Sequence, residues 1–346
     1  MRSLKPRRLL TLALAGAVAL TACSGASDGD AADAGSGDDA ADTSAFPVTI
    51  EHALGETEIG EAPERVVTWG WGSADAAIAL GVVPVAIPYQ EYGGDDEGVL
   101  PWVREALERE GEEIPEILPN TEEAPVEAIA AAQPDLIIAA YSGITDAEYE
   151  LLSAIAPTVA YPEEAWATPW RDLIEIVGTS LGRSDQAADL LAGVDADLAE
   201  RAAAHPELAG KTVAMVWDTP DDFYVYQAAD ARVEFAVALG LEVAPSVEEL
   251  STDESTFYYT VSLEQLDQLE SDILVSFADT PEASAAFLAS DHARLLPQVE
   301  RGAVAEMVGT EFIASVSPPT ALSFDWGLDQ YVEALSGAAR VVDQRG

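Results

Sequence analysis

Three groups of residues in this chain have types and spacing that could do chemistry. The first is the string Gly178-Thr-Ser-Leu-Gly182, which matches the G-x-S-x-G turn that presents a nucleophilic serine. That turn needs a strand directly before the serine, and here Ser180 ends a segment with helical spacing. The three histidines, His52, His205 and His292, show no evident partner, and the last two read as surface residues. The match is therefore read as chance, and no catalytic residue is expected. The second group would be a bare zinc or manganese site, which needs several His and carboxylate ligands. No histidine is read at a strand end, which argues against it; direct ferric binding by a tyrosine cluster stays open. The third group is aromatic. Trp69, Trp71 and Tyr92 follow apolar strand-like runs, and Tyr141-Ser142-Gly143 follows another. In open α/β sheets ligands bind beyond the carboxyl ends of the strands, so these side chains read as a stacking surface. Core packing explains any one of them equally well.

The elements that must position such a surface centre on residues 168–205. Trp170, Leu173, Ile174, Val177 and Leu181 recur at helical spacing, with Thr168-Pro169 as a start and Gly182 as a stop. Ser184 then opens a second run whose apolar stripe is Ala187, Leu190, Leu191, Val194 and Leu198, ending before Pro206. Alternating short strands and helices lie on each side. The expected fold is α/β: two Rossmann-like lobes, residues 46–166 and 207–346, joined by a long rigid helical linker at 167–206, with a ligand cleft between them. Residues 309–319 read as a loop and 322–335 as a closing amphipathic helix.

The amino-terminal end points to export. Arg2, Lys5, Arg7 and Arg8 precede an apolar run too short to span a membrane comfortably, and Leu20-Thr-Ala-Cys23 follows. Residues 1–22 are thus expected to be a signal peptide. Residues 23–45, rich in Gly, Ala, Ser and Asp, read as a flexible acidic tether. Removing the leader leaves 12 of the 16 basic residues against 63 acidic ones. Such a surface makes nucleic acid and anionic lipid headgroups poor partners.

Several strings carry a family resemblance: PERVVTWGWGSADAAIALGVVPVAI, VEAIAAAQPDLIIAAYSG, LSAIAPTVAYP and PWRDLIEIVGTSLGR in the first half, then SLEQLDQLESDILV, LLPQVERGAVAEM and SPPTALSFDWGLDQYVEAL. In this order they resemble periplasmic ferric-siderophore-binding proteins of ABC importers, the class with a rigid helical backbone between lobes. The L-T-A-C ending is similar to a bacterial lipoprotein signal, which implies lipidation of Cys23 and a monomer anchored on the outer face of the cytoplasmic membrane. The resemblance implies a ferric siderophore as ligand, an ABC permease as partner, no cofactor and no covalent chemistry. It also places the loops holding Trp217, Tyr224, Tyr258 and Phe312 at the cleft. The same class includes haem and cobalamin receptors, which remain alternatives.

Two further expectations concern charge. A tris-catecholate iron complex is strongly anionic and needs several cations in its pocket. Arg232, opening a helix after the 223–227 strand, is the best pocket cation, so a neutral or cationic hydroxamate-type ligand is expected. An internal repeat is the other. Glu127 is followed eight residues later by Asp135 and a buried strand, and Glu264 by Asp272 in the same way. A carboxylate in a helix's first turn stabilises it by roughly 0.3–1 kcal/mol, which accounts for either glutamate alone. The resemblance adds a role, because family members dock on permease arginines through one exposed glutamate per lobe, and Glu127 and Glu264 match those positions.

Overall fold

Short apolar runs punctuated by glycine and proline become the strands of two sheets. The structure, a computed structural model, describes residues 42–252 and 255–345. The expected leader, the lipidated Cys23 and most of the tether lie outside them. Residues 43–45, expected in the tether, form a 3-10 turn, and the Asp42 N–H donates to the Gly182 carbonyl at 3.0 Å.

The first lobe opens with an antiparallel hairpin, β1 (Val48–His52) and β2 (Gly55–Ile59). A five-stranded parallel sheet follows, built from β3 (Val66–Gly70), β4 (Ala86–Ile87), β5 (Glu116–Ile117), β6 (Leu136–Tyr141) and β7 (Thr158–Val159) in the order β5-β4-β3-β6-β7. Most of β3 and β6 is buried on both faces, hence the unbroken apolar runs of their sequence. Helices α1 (Ser73–Ala79), α2 (Pro101–Glu110), α3 (Val126–Ala131) and α4 (Asp146–Ser153) connect these strands.

The linker is two helices, α5 (Trp170–Ser180) and α6 (Ser184–Ala204), divided where the sequence reads a stop at Gly182 and a second start at Ser184. Gly178 lets them meet closely, since a Cβ there would lie 2.6 Å from that of Ala187. Arg183, at the joint, is 9% exposed, and its Nη1 donates to the Leu80 carbonyl at the end of α1 at 2.7 Å. Trp170, Leu173, Ile174 and Val177 are buried, each contributing roughly 1.5–3 kcal/mol.

The second lobe holds β8 (Thr212–Asp218), β9 (Phe223–Tyr226), α7 (Ala231–Ala238), β10 (Glu242–Val243), α8 (Pro245–Glu249), β11 (Tyr258–Thr260), β12 (Ile273–Ala278), α9 (Pro281–Ala289), α10 (Pro297–Arg301) and β13 (Val304–Val308). Its path is β11-β9-β8-β12-β13. One edge of β8 is shared: β10 pairs in parallel with Thr212 and Val213, and β9 runs antiparallel along Val216 to Asp218. The β9–β11 pair therefore extends from the carboxyl end of β8, where a ligand site is expected.

Three elements differ from the sequence reading. Residues 309–319 contain α11 (Thr310–Val316), whose residues from Phe312 onward are buried. Five consecutive residues, Phe312 to Val316, are buried, so this short helix has no polar face and no amphipathic period to betray it. The closing helix α12 (Ser323–Arg345) extends ten residues beyond the expected 335. Around Glu264 the chain forms a 3-10 helix, Leu263–Gln268; the Ser262 side chain accepts from the Glu264 N–H at 3.4 Å.

One apolar core runs through both lobes and the linker. It includes Leu136 and Ile138 of the first sheet, Leu173 and Val177 of α5, and Val213, Phe277 and Leu335 of the second lobe. A separate cluster joins α1 and α2 to Ala314 of α11.

Candidate ligand-binding site

Residues from both lobes enclose a cavity of about 540 Å³, within the range of small-ligand sites. The first lobe contributes Tyr141 at the end of β6 and the segment 166–169 leading into α5. The second contributes Trp217 from β8, Tyr224 and Tyr226 from β9, and Phe257 and Tyr258 at β11. Tyr224 and Tyr226 lie two apart on a strand and so share a face.

The walls are aromatic and mutually braced. Tyr224 and Tyr258 meet edge to face with centroids 5.5 Å apart, and Trp217 stacks on Phe277 at 5.8 Å. Tyr141 tilts against Trp166 at 6.3 Å. Trp166 is 57% exposed at the rim, in left-handed backbone with φ of 60°, a state that costs a non-glycine residue about 1–3 kcal/mol. Its N–H donates to the Ser142 carbonyl at 3.1 Å, and its indole lies over Gly143, where a Cβ would come within 2.1 Å of Nε1.

Charge in the cavity is concentrated on α7. Asp230 caps that helix by accepting from the Arg232 N–H at 2.9 Å, and its other oxygen accepts from Arg232 Nη1 at 2.7 Å. Arg232 Nε donates to Ser317 Oγ, and the guanidinium lies 4.4 Å from the Tyr226 ring centroid. Burial raises the Asp230 carboxyl above its ordinary value, with Arg232 opposing. Burial also pushes the Tyr226 phenol up to about 12, again against Arg232. Tyr141 is raised by burial too.

Of the expected site residues, Tyr141, Trp217, Tyr224, Arg232 and Tyr258 line this cavity. Trp69 does not: it is 9% exposed and packs with Val67 and Ile137 inside the first lobe. Phe312 is likewise core, on the buried side of α11. Trp71 is half-buried against the α1–α2 cluster. Tyr92 stands beside the cavity and bridges the lobes, its hydroxyl donating to Asp279 Oδ1 at 2.8 Å. Trp166, Tyr226, Asp230 and Glu234 were missed. Tyr226 was readable from its spacing to Tyr224; Trp166 carried no signal beyond standing just before the linker.

The hydrolase reading fails on geometry, because Ser180 is buried on α5 and its Oγ donates to the Ile176 carbonyl at 2.7 Å. His52 does end a strand, contrary to expectation, but its Nε2 pairs with Thr57 Oγ1 at 3.0 Å in the hairpin. His205 and His292 are half-buried and partnered, by Ser336 at 2.8 Å and Asp218 at 3.2 Å. Among the described residues no group of three His, Cys, Asp or Glu side chains could hold a metal ion.

The repeated Glu–Asp pairs separate by role. Asp135 accepts from the N–H groups of Glu64 and Arg65, both at 2.9 Å, at the start of β3. Asp272 accepts from the Thr212 N–H at 2.9 Å at the start of β8. The aspartates thus tie neighbouring strands together in each lobe. Glu127 and Glu264 are exposed, each in the first turn of its helix.

PiaA of Streptococcus pneumoniae TIGR4 in complex with ferrichrome is similar in structure, with TM-score 0.76 and 31% identity over 85% of this chain and 99% of that one. A periplasmic solute binding protein of Mycobacterium smegmatis has TM-score 0.72 and 28% identity, covering 84% and 98% of the two chains. The relative YhfQ of Bacillus subtilis, named as an ABC transporter substrate-binding lipoprotein, is 30% identical over 113 residues. That match spans only about a third of each protein: 33% of this chain and 32% of YhfQ. The family model for periplasmic binding proteins matches residues 66–308, from the first residue of β3 to the last of β13. By that match and these likenesses, the chain belongs to the periplasmic binding protein family.

Proposed function

We propose that this protein captures a ferric siderophore of the hydroxamate type outside the cytoplasmic membrane and delivers it to an ABC permease, without covalent chemistry. The observation that carries this reading is an interlobe cavity with aromatic walls and, among the described residues, a single cation, Arg232, already neutralised by Asp230. Aromatic faces suit the large apolar surface of a wrapped iron complex. Arg232 Nη2 remains to donate to a hydroxamate oxygen. A tris-catecholate complex would bring several negative charges to a site with no free cation to meet them. The likeness to ferrichrome-bound PiaA supports the same ligand class. Lipidation at Cys23 would hold a monomer at the membrane, and the name of YhfQ supports both the anchor and the transporter partner. Glu127 and Glu264, exposed on separate lobes, would set register on a two-subunit permease.

Trp166 and Trp217 make the cavity self-reporting. Titrating the purified domain with ferric hydroxamates, ferric catecholates, haem and cobalamin should quench tryptophan fluorescence most strongly with a hydroxamate. Tighter binding of a catecholate complex overturns the ligand class. Tighter haem or cobalamin binding, seen also as a shifted absorption spectrum, overturns the iron-complex reading.

A further inference from the structure

Among the described residues the cavity wall carries three formally charged side chains: Arg232, Asp230 and Glu234. The first two neutralise each other at 2.7 Å. Glu234 makes no side-chain hydrogen bond or ion pair within the described residues. The basic residue that acts on it, Arg171, pairs with Asp195 on α6 at 2.7 Å. Among the described lining residues, Glu234 is therefore the one carboxylate without an ion-pair partner, and it stands exposed to solvent. Its place follows from its neighbours. Glu234 feels Arg171 and Asp172 in the first turn of α5, and residues 166–169, just before that turn, form the adjacent wall with Trp166 at the rim.

We propose that Glu234 reads ligand charge, so that the cavity prefers a ferric complex bearing a pendant ammonium over the same complex without that charge. This deepens the siderophore reading and rests on it. Two features act together. A carboxylate on the cavity wall offers charge-assisted hydrogen bonds to an ammonium. The surrounding rings present negative π faces, which also attract a cation. Burial raises the Glu234 carboxyl, and Asp230 and Asp172 raise it further against Arg171. An arriving cation adds to the attraction that Arg171 already exerts and opposes the repulsion from Asp230 and Asp172, so the ionised carboxylate is favoured when the cation is bound.

The test uses two probes that differ in one charge: ferrioxamine B, with its free terminal ammonium, and N-acetyl-ferrioxamine B, in which that group is a neutral amide. Affinities are read by fluorescence quenching at slightly alkaline pH. The parent protein should bind the ammonium form about two- to fivefold more tightly, the range of an exposed ion pair. In Glu234→Gln that ratio should fall to about one, and in Glu234→Lys it should invert. Added salt should shrink the ratio in the parent. Equal affinities in the parent, or a ratio that survives Glu234→Gln in a protein with unchanged melting, overturns the charge reading and leaves the siderophore reading standing. Failure of both probes to bind while another ferric hydroxamate such as ferrichrome quenches the folded parent overturns the charge reading alone, and failure of every ferric hydroxamate overturns both.

Discussion

At Gly143 a single methyl group tests the rim of the cleft. Its Cβ would fall 2.1 Å from Trp166 Nε1, so Gly143→Ala must push the indole off the loop on which it rests. Affinity should drop about three- to tenfold through loss of one aromatic wall, with melting little changed because Gly143 is only half-buried. Unaltered affinity and unaltered Trp166 emission would remove that side chain from the site. The tyrosines have a different role. With Tyr226 at about 12 and Tyr141 raised, both phenols stay protonated at neutral pH and can offer a hydrogen-bond donor to a ligand oxygen. Ferric nitrilotriacetate should give no phenolate-to-iron absorption band, because no group of three His, Cys, Asp or Glu side chains is set to hold a metal among the described residues, and the appearance of a band would revive direct iron capture.

Between elements, the contact of α1 with α2 and the loop before α12 turns on Asp75. Its Oδ1 accepts from Trp102 Nε1 at 2.5 Å and from the Thr320 hydroxyl, which belongs to the second lobe's closing segment. Burial raises this carboxyl above its ordinary 3.8, against those two hydrogen bonds. A carboxyl raised by folding favours the native state fully only below its unfolded value, and that contribution is lost as pH rises through the folded value. Asp75→Asn cannot ionise, so it should melt like the parent at acid pH and higher at neutral pH. A difference independent of pH would show that Asp75 does not titrate as described. Asp75→Leu should cost about 1–3 kcal/mol by leaving buried donors unpaired.

The strand–helix repeat offers a second contrast at this scale. Asp135→Ala and Asp272→Ala should each destabilise their lobe by roughly 1–2 kcal/mol, since backbone N–H groups lose their acceptor. Glu127→Ala and Glu264→Ala should leave melting and ligand affinity in place while iron uptake by cells falls, most in the double variant. Normal uptake in the double variant would reduce both glutamates to helix-end electrostatics.

For the whole molecule, motion is limited by continuity of the core. Apolar packing passes from the first sheet through α5 into the second lobe, Arg183 fastens the linker joint to α1, and Tyr92–Asp279 spans the lobes. Wide hinge opening would expose much of that interface, so small-angle scattering profiles with and without a ferric siderophore should nearly coincide. A clear compaction on loading would contradict a rigid linker.

The two-lobed α/β plan was legible in the sequence because buried parallel strands are unbroken apolar runs and linker helices carry a 3.6-residue stripe, both local patterns. The same locality misled over α11, buried all round and so without a stripe. It also favoured Trp69, whose position at a strand end says nothing about which face the ring takes, while the family resemblance placed Phe312 at the cleft without fixing the side its ring would take. Tertiary structure decided those faces, since a ring at a strand end goes to the core or to the cleft according to what packs beside it. It also brought Trp166, from the last turn before the linker, against β6, and left Glu234 without an ion-pair partner among the described residues while Asp230 took Arg232. Partnership between charges distant in the chain is a property of three-dimensional proximity, and no spacing along the sequence encodes it.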